Sequence, residues 1–240
     1  MRSASTNNFY LKCFVLIIII ASNLFSCTQE ISRGSIKYIP DDLRAMFSFG
    51  KNSYWIYQDS ISGKLDTLDC ENVRSDTVAN LNDGKTVLAY EYRRIFFPMW
   101  SKTLMEIKIQ TSEADYSNSS LLKINSVRWV TAKDGYNDSD PDPQTILLHP
   151  FIAGNEFIDP NPFIDSLGNS LSDTCKIRAV LNQFQLNTLS FNNVVITDIS
   201  HHKTFSGKRF RYFFAEGVGL IQYKNFNDNT NYKLIDYHLE

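Results

Sequence analysis

Residues 105–110 read Met105-Glu106-Ile107-Lys108-Ile109-Gln110, apolar and polar side chains in strict alternation. Successive side chains of an extended chain point to opposite faces, so this stretch is a strand with one face on a core and one in water. The two-residue period continues outward in both directions. Upstream, Thr86 to Phe97 sets Leu88, Tyr90 and Tyr92 on one face, and Asn82-Asp83-Gly84-Lys85 joins it to a run from Leu65 to Val78. Asp-Gly accepts the positive φ angles of a tight turn, so the two runs form a hairpin. Further upstream, the aromatic and β-branched stretch Ser53 to Asp59 ends at the turn Ser62-Gly63-Lys64. Downstream, strands are expected at Leu121 to Ala132, Cys175 to Leu181, Thr188 to Phe191, Val194 to Ile199, Lys208 to Phe214, Val218 to Tyr223 and Tyr232 to Leu239.

One short helix interrupts this pattern. Pro40 suits a first helical position, Asp41 and Asp42 sit in the first turn, and Leu43, Met46 and Phe47 fall on one face. Gly50 is a plausible stop. Residues 134–172 differ in kind, holding five of the seven prolines (Pro141, Pro143, Pro150, Pro160, Pro162) and only one short strand, Thr145 to Leu148. The expectation is one all-β domain over residues 40–240. It is a single antiparallel curved sheet or half-barrel with a short N-terminal helix and one long Pro-rich insertion.

At 240 residues, with 24 Lys+Arg against 26 Asp+Glu, the chain has material for one sizeable domain and no strongly basic surface for nucleic acid. Its start carries an address. Arg2 and Lys12 precede the nine-residue apolar run Cys13 to Ala21, and Ser22-Asn23-Leu24-Phe25-Ser26-Cys27 follows. That is the layout of a secretory signal peptide over residues 1–26. A bilayer-spanning helix needs about 20 apolar residues, so the run is too short for a permanent span.

Leu24-Phe25-Ser26-Cys27 resembles the lipobox of bacterial lipoproteins. The resemblance implies that the Cys27 thiol is diacylated, the chain is cut before it, and the new amine is acylated. It also implies residues 27–39 as a lipidated tether to the membrane. By resemblance to sorting in enteric bacteria, Thr28 after the cysteine favours the outer membrane; whether the body faces the periplasm or the outside is left open. Loss of residues 1–26 removes Arg2 and Lys12 and leaves a formal net charge of −4. By net charge such a body is not drawn to anionic lipid, so the acyl chains must hold it.

Cys70 and Cys175 remain after processing. An oxidising compartment allows them to pair, and they serve equally well as small buried apolar side chains.

The C-terminal stretch Phe210-Arg211-Tyr212-Phe213-Phe214-Ala215-Glu216-Gly217-Val218-Gly219-Leu220-Ile221-Gln222-Tyr223, with Lys233-Leu234-Ile235-Asp236-Tyr237, resembles uncharacterised lipoproteins of Gram-negative bacteria. The Ser53 to Asp59 strand is similar to their first strand. The resemblance implies a curved half-barrel like those of envelope carriers and acceptors, and no activity.

Several motifs fall short of chemistry. Gly217-Val218-Gly219 lacks the third glycine and the following helix of a nucleotide fingerprint, and reads as a turn or bulge. Asp134, Asp138, Asp140 and Asp142 share a loop. A calcium loop starting at Asp138 would need Gly where Pro143 stands and Glu where His149 stands, so a stiff solvated turn is expected. His201 and His202 are adjacent, so on a strand they face opposite ways, and no metal or cofactor is expected. Gly168-Asn169-Ser170-Leu171-Ser172 starts like a nucleophile elbow without its closing glycine.

The aromatic load, 17 Phe, 12 Tyr and 3 Trp, is what stands out. Tyr54, Trp55, Tyr57, Tyr90, Tyr92, Phe210, Tyr212 and Phe214 either fill the core of a curved sheet or line a cavity for a lipid or acyl chain, capped by residues 134–172. Three functions stay open. The preferred one is a lipid-anchored, non-catalytic binding or interaction module of the envelope. The second is a carrier or acceptor of lipids or lipidated proteins. The third is a glycan hydrolase, which requires two carboxylates converging in a polar cleft.

Overall fold

Cys70 and Glu71 mark the place where the chain changes sheets. The run Leu65 to Val78 is therefore two strands, Leu65–Asp69 and Asn72–Asn82, in different sheets. Cys70 still holds to the residues that precede β2, its amide donating to the Ser53 carbonyl (2.8 Å) and its carbonyl accepting from the Asn52 amide (2.9 Å). The computed structural model describes residues 36–82, 85–98, 104–110, 125–132, 144–158, 163–164, 167–201 and 207–240. The signal segment, Cys27, the four aspartates of residues 134–142 and His202 lie outside them; Tyr90 and Tyr92 are described in backbone only.

Among these residues the elements are β1 (Ile36–Lys37), α1 (Asp41–Met46), β2 (Tyr54–Asp59), β3 (Leu65–Asp69), β4 (Asn72–Asn82), β5 (Lys85–Pro98), β6 (Leu104–Gln110) and β7 (Asn125–Ala132). They continue as β8 (Gln144–His149), β9 (Glu156–Ile158), β10 (Phe163–Ile164), β11 (Ser170–Leu171), β12 (Thr174–Leu186), β13 (Leu189–His201), β14 (Lys208–Ala215), β15 (Gly219–Asn225) and β16 (Thr230–His238). Ile36–Glu240 forms one compact unit. The protein is all-β and antiparallel in its main sheet, as the alternation requires. That sheet is curved and open, with eight strands in the order β3-β2-β16-β15-β14-β13-β12-β9. Strands β4 to β8 build a second sheet of their own, to which β1 adds two residues parallel to β5. Asn82 pairs with Lys85, so β4 and β5 are the expected hairpin partners.

Two expected strands merge. The runs expected at 188–191 and 194–199 fall in the single strand β13, which starts at Leu189 and contains Asn193 at a positive φ of 48°. The strand expected within the Pro-rich insertion at Thr145 to Leu148 is present. It is β8, whose Ile146, Leu147 and Leu148 are fully buried. Thr197 Oγ1 on β13 donates to the Ile146 carbonyl at 2.8 Å and ties the two sheets together.

Helix α1 sits at one end of the inner face of the large sheet. Pro40 caps it and Phe47 ends it, one residue from the expected bounds at each side. Leu43, Met46, Phe47 and Phe49 are buried. Phe47 packs on Phe214 at 5.9 Å between ring centres, and Phe49 meets Trp55 edge-on at 4.6 Å. From the second sheet, Arg93 donates to the Phe49 carbonyl (2.8 Å), and Glu91 accepts from Arg44 (2.7 Å) and from the Ile39 amide (3.1 Å). The segment 39–50 is thus a plug held from both sheets. At Gly219 (φ +80°) an added Cβ would stand 2.9 Å from the Phe49 ring, so the Gly-Val-Gly turn is shaped to receive that ring.

Cys70 and Cys175 do not pair. Both thiols are free and buried, one after β3 at one edge of the large sheet and the other on β12 near the opposite edge. Strand neighbours lie about 4.8 Å apart, and this order separates the two cysteines by most of the sheet. Burial raises both thiols, Cys70 to about 11, so they serve as packing groups.

Candidate functional site

Register decides which aromatic rings share a face. Ile177, Thr197, Tyr212, Tyr223, Tyr232 and Asp59 oppose one another in turn across six neighbouring strands, β12 to β2. They therefore form one row on the inner face, the face that carries α1 and β8. One step toward the plug, Leu234, Tyr57 and Asp66 make a second row from β16 to β3.

The rings nearest the plug are core. Trp55 and Tyr57 are 1% and 2% exposed, and Phe214 is fully buried. Each polar tip is spoken for, as buried aromatic hydroxyls and indoles require. Trp55 Nε1 donates to the Val218 carbonyl and the Tyr57 hydroxyl to the Leu220 carbonyl, both at 2.8 Å. These three candidates fill space; they do not line an accessible cavity. Tyr54 points the other way, onto the outer face, where it stacks on His238 at 5.7 Å.

Farther from the plug the same face changes character. Phe210 and Tyr212 remain on it as expected, and Tyr223 and Tyr232 join them. Phe210 stacks on Tyr212 at 5.9 Å, Tyr212 approaches Tyr223 at 6.4 Å, and Tyr223 stacks on Tyr232 at 4.8 Å with only 12° between the planes. Tyr57 meets the edge of this stack at 5.9 Å. Phe210, Tyr223 and Tyr232 are half-buried, so this end of the row is a ledge of rings open in part to solvent.

Two carboxylates flank the ledge and are tuned in opposite directions. The Tyr223 hydroxyl donates to Asp66 Oδ2 at 2.8 Å. Burial raises the Asp66 carboxyl, a raise that the Tyr223 bond partly offsets, and Tyr223 itself is pushed far up by burial and by Asp66. Asp59 is bound as an ion: it accepts from the Ser62 hydroxyl (2.6 Å), the Asn231 amide (2.8 Å) and the Ser62 amide (3.0 Å). The Ser62 hydroxyl first, then the Asn231 amide, holds its carboxyl down to about 2. Asp59 thereby fixes the β2–β3 turn, while Asp66 stands beneath the rings as a buried acceptor.

No protein-family model matches the chain, and no curated protein does. One solved structure that matches is the crystal structure of "a putative lipoprotein" from Parabacteroides distasonis; it is 10% identical, spans 79% of this chain and 97% of that one, and has a TM-score of 0.27.

Sequence reasoning missed Tyr223, Tyr232 and Asp66. The signal was available in part, since Tyr223 and Tyr232 flank the β15–β16 hairpin at positions that pair if Asn225 pairs with Thr230. Asp66 gave none, because a single acid in a short strand, between Leu65 and Thr67, reads as solvated. Among the described residues no three His, Cys, Asp or Glu side chains gather as a metal group, and no helix is long and apolar enough to cross a membrane. His149 is engaged with Asp42 at 2.9 Å and His238 with Glu240 at 3.0 Å.

Proposed function

We propose that the chain is a lipid-anchored, non-catalytic binding or interaction module of the bacterial envelope, held to the membrane through acyl chains on Cys27. The observation that carries the binding half is the ledge of Phe210, Tyr223 and Tyr232, half-buried rings stacked around the buried Tyr212. Aromatic rings left half in water give contact area at small ordering cost, which suits recognition. The anchoring half rests on Leu24-Phe25-Ser26-Cys27 after a short apolar run.

The lining favours an interaction module over a carrier of acyl chains. Four of the rings expected to line an apolar cavity, Trp55, Tyr57, Tyr212 and Phe214, are in the core, and the half-buried ledge pairs Phe210 with Tyr223 and Tyr232 beside a buried carboxylate. A partner with polar groups to offer fits that surface better than a hydrocarbon chain does.

Both halves are testable on the whole chain in cells. Labelled palmitate should enter the wild type and be absent from Cys27→Ala; label that persists refutes the anchor. A photoreactive phenylalanine analogue at position 232 should form a discrete adduct that the same analogue at position 54, on the outer face, does not form. Equal adducts at the two positions, or none at 232, would refute the ledge as the binding face.

A further inference from the structure

The outer face of the large sheet carries charge that the composition hides. Glu156, Lys176, Asp198, Arg211 and Lys224 oppose one another in turn across β9, β12, β13, β14 and β15. Alternation brings Arg209 to the same face of β14, and Lys233, opposite Gln222 on β15, to that of β16. Arg178 joins them, reaching Asp198 at 3.3 Å. Six basic side chains thus share this half of the face with two acids, in a chain whose formal net charge is −2. Both acids are already engaged. Asp198 is held by Arg211 at 2.5 Å as well as by Arg178, and Glu156 by Lys176 at 3.4 Å.

Of the other acids, Asp236 and Asp69 lie toward the β3 edge, opposite Ile56 and Tyr54, and Glu240 is there too, engaged with His238 at 3.0 Å. At the rim, Lys208 and Asp228 offset each other at 3.3 Å. Phe226 stands there 45% exposed, with Arg211 5.3 Å and Arg209 5.8 Å from its ring centre. An exposed ring beside two guanidinium groups is amphipathic in the manner of residues at a lipid headgroup layer.

We infer that this basic outer face, centred on Arg209, Arg211, Lys224 and Lys233, docks against anionic lipid headgroups and orients the anchored domain on its membrane. The inference rests on the Cys27 anchor, which keeps the face within reach of a bilayer. Charge complementarity selects the occupant. At physiological salt a charge is felt over about 8 Å, so a membrane responds to the face nearest it and not to the net charge of the whole body. It also leaves the inner ledge turned away from the lipid and open to a partner.

The test uses the full acylated chain with vesicles of neutral phosphatidylcholine or of phosphatidylcholine with phosphatidylglycerol. Flotation reads the anchor, and acetylation of individual lysines reads the face. On anionic vesicles Lys176, Lys224 and Lys233 should acetylate about threefold or more slowly than on neutral ones, while Lys51 and Lys64 keep their rates. High salt, or the pair Arg209→Glu and Lys233→Glu, should erase the difference. If the chain floats on both lipids with unchanged lysine rates, the docking face is overturned and the anchor stands. If it floats on anionic vesicles alone with the lysines slowed, the face stands and the anchor falls. Flotation on neither refutes both.

Discussion

The two ends of the inner face use the same residue types for opposite purposes. At the plug end Trp55, Tyr57 and Phe214 are sealed under Phe47 and Phe49, their polar tips locked to backbone carbonyls. Farther along the same sheet, Phe210, Tyr223 and Tyr232 are half-buried, with Phe210 stacked on Tyr212 and Tyr223 on Tyr232. What differs is the cover. The plug of residues 39–50, held by Arg93 and Glu91, closes one end and stops short of the other. An aromatic side chain therefore becomes core or ledge according to where the third layer ends.

If that reading holds, truncation should hurt far more at the plug end. Trp55→Ala or Phe214→Ala should lower stability by about 3–5 kcal/mol, read as a shift in the urea midpoint. A loss near 1 kcal/mol would mean that the plug does not seal these rings. Gly219→Ala tests the same seal from the turn. Its Cβ would collide with the Phe49 ring and its positive φ disfavours any side chain, so about 1–3 kcal/mol should be lost.

At the ledge the effects are smaller and separate stability from binding. Tyr223→Phe removes the donor to buried Asp66 and should cost about 1–2 kcal/mol. Tyr232→Ala loses one stacked face and should cost about 1 kcal/mol, while abolishing the adduct formed at position 223 by the photoreactive analogue. Stability losses at Tyr232 as large as those at Trp55 would make the ledge part of the core and end the comparison.

Much of the fold was legible because alternation reports a local fact, the two sides of a strand. The strands β5, β6 and β12 to β16, the α1 helix and the Asp-Gly hairpin follow from residues a few positions apart. The break at Cys70-Glu71 was not legible, since nothing local says that Leu65–Asp69 and Asn72–Asn82 pair in different sheets. The site was harder still. Trp55 and Phe210 look alike in sequence, and only the long-range placement of Phe47 and Phe49 makes one core and leaves the other at the surface. Likewise the basic outer face emerges only when register lines Lys176 on β12 up, through Asp198 on β13, with Arg211 on β14 and Lys224 on β15.

The finest contrast is electrostatic. Asp59 and Asp66 flank one turn, yet the first carboxyl is lowered to about 2 by the Ser62 and Asn231 bonds and the second is raised by burial. An unfolded aspartate titrates near 3.9, so the stabilisation from Asp59 is full above that value and is lost as pH falls toward 2. Asp66 has the opposite sign: its ionisation is easier in the unfolded chain, so it subtracts stability as pH rises from about 3.9 through its raised folded value. Asp59→Asn should therefore be less stable than wild type at pH 7 and indistinguishable from it near pH 2. Asp66→Asn, whose amide oxygen can still accept from Tyr223, should match wild type near pH 3 and equal or exceed it at pH 7. Urea midpoints for both variants across pH 2–7 give the answer. Profiles that run parallel to wild type would show that neither carboxylate is tuned by its setting, and that the boundary between core and ledge leaves no trace in protonation.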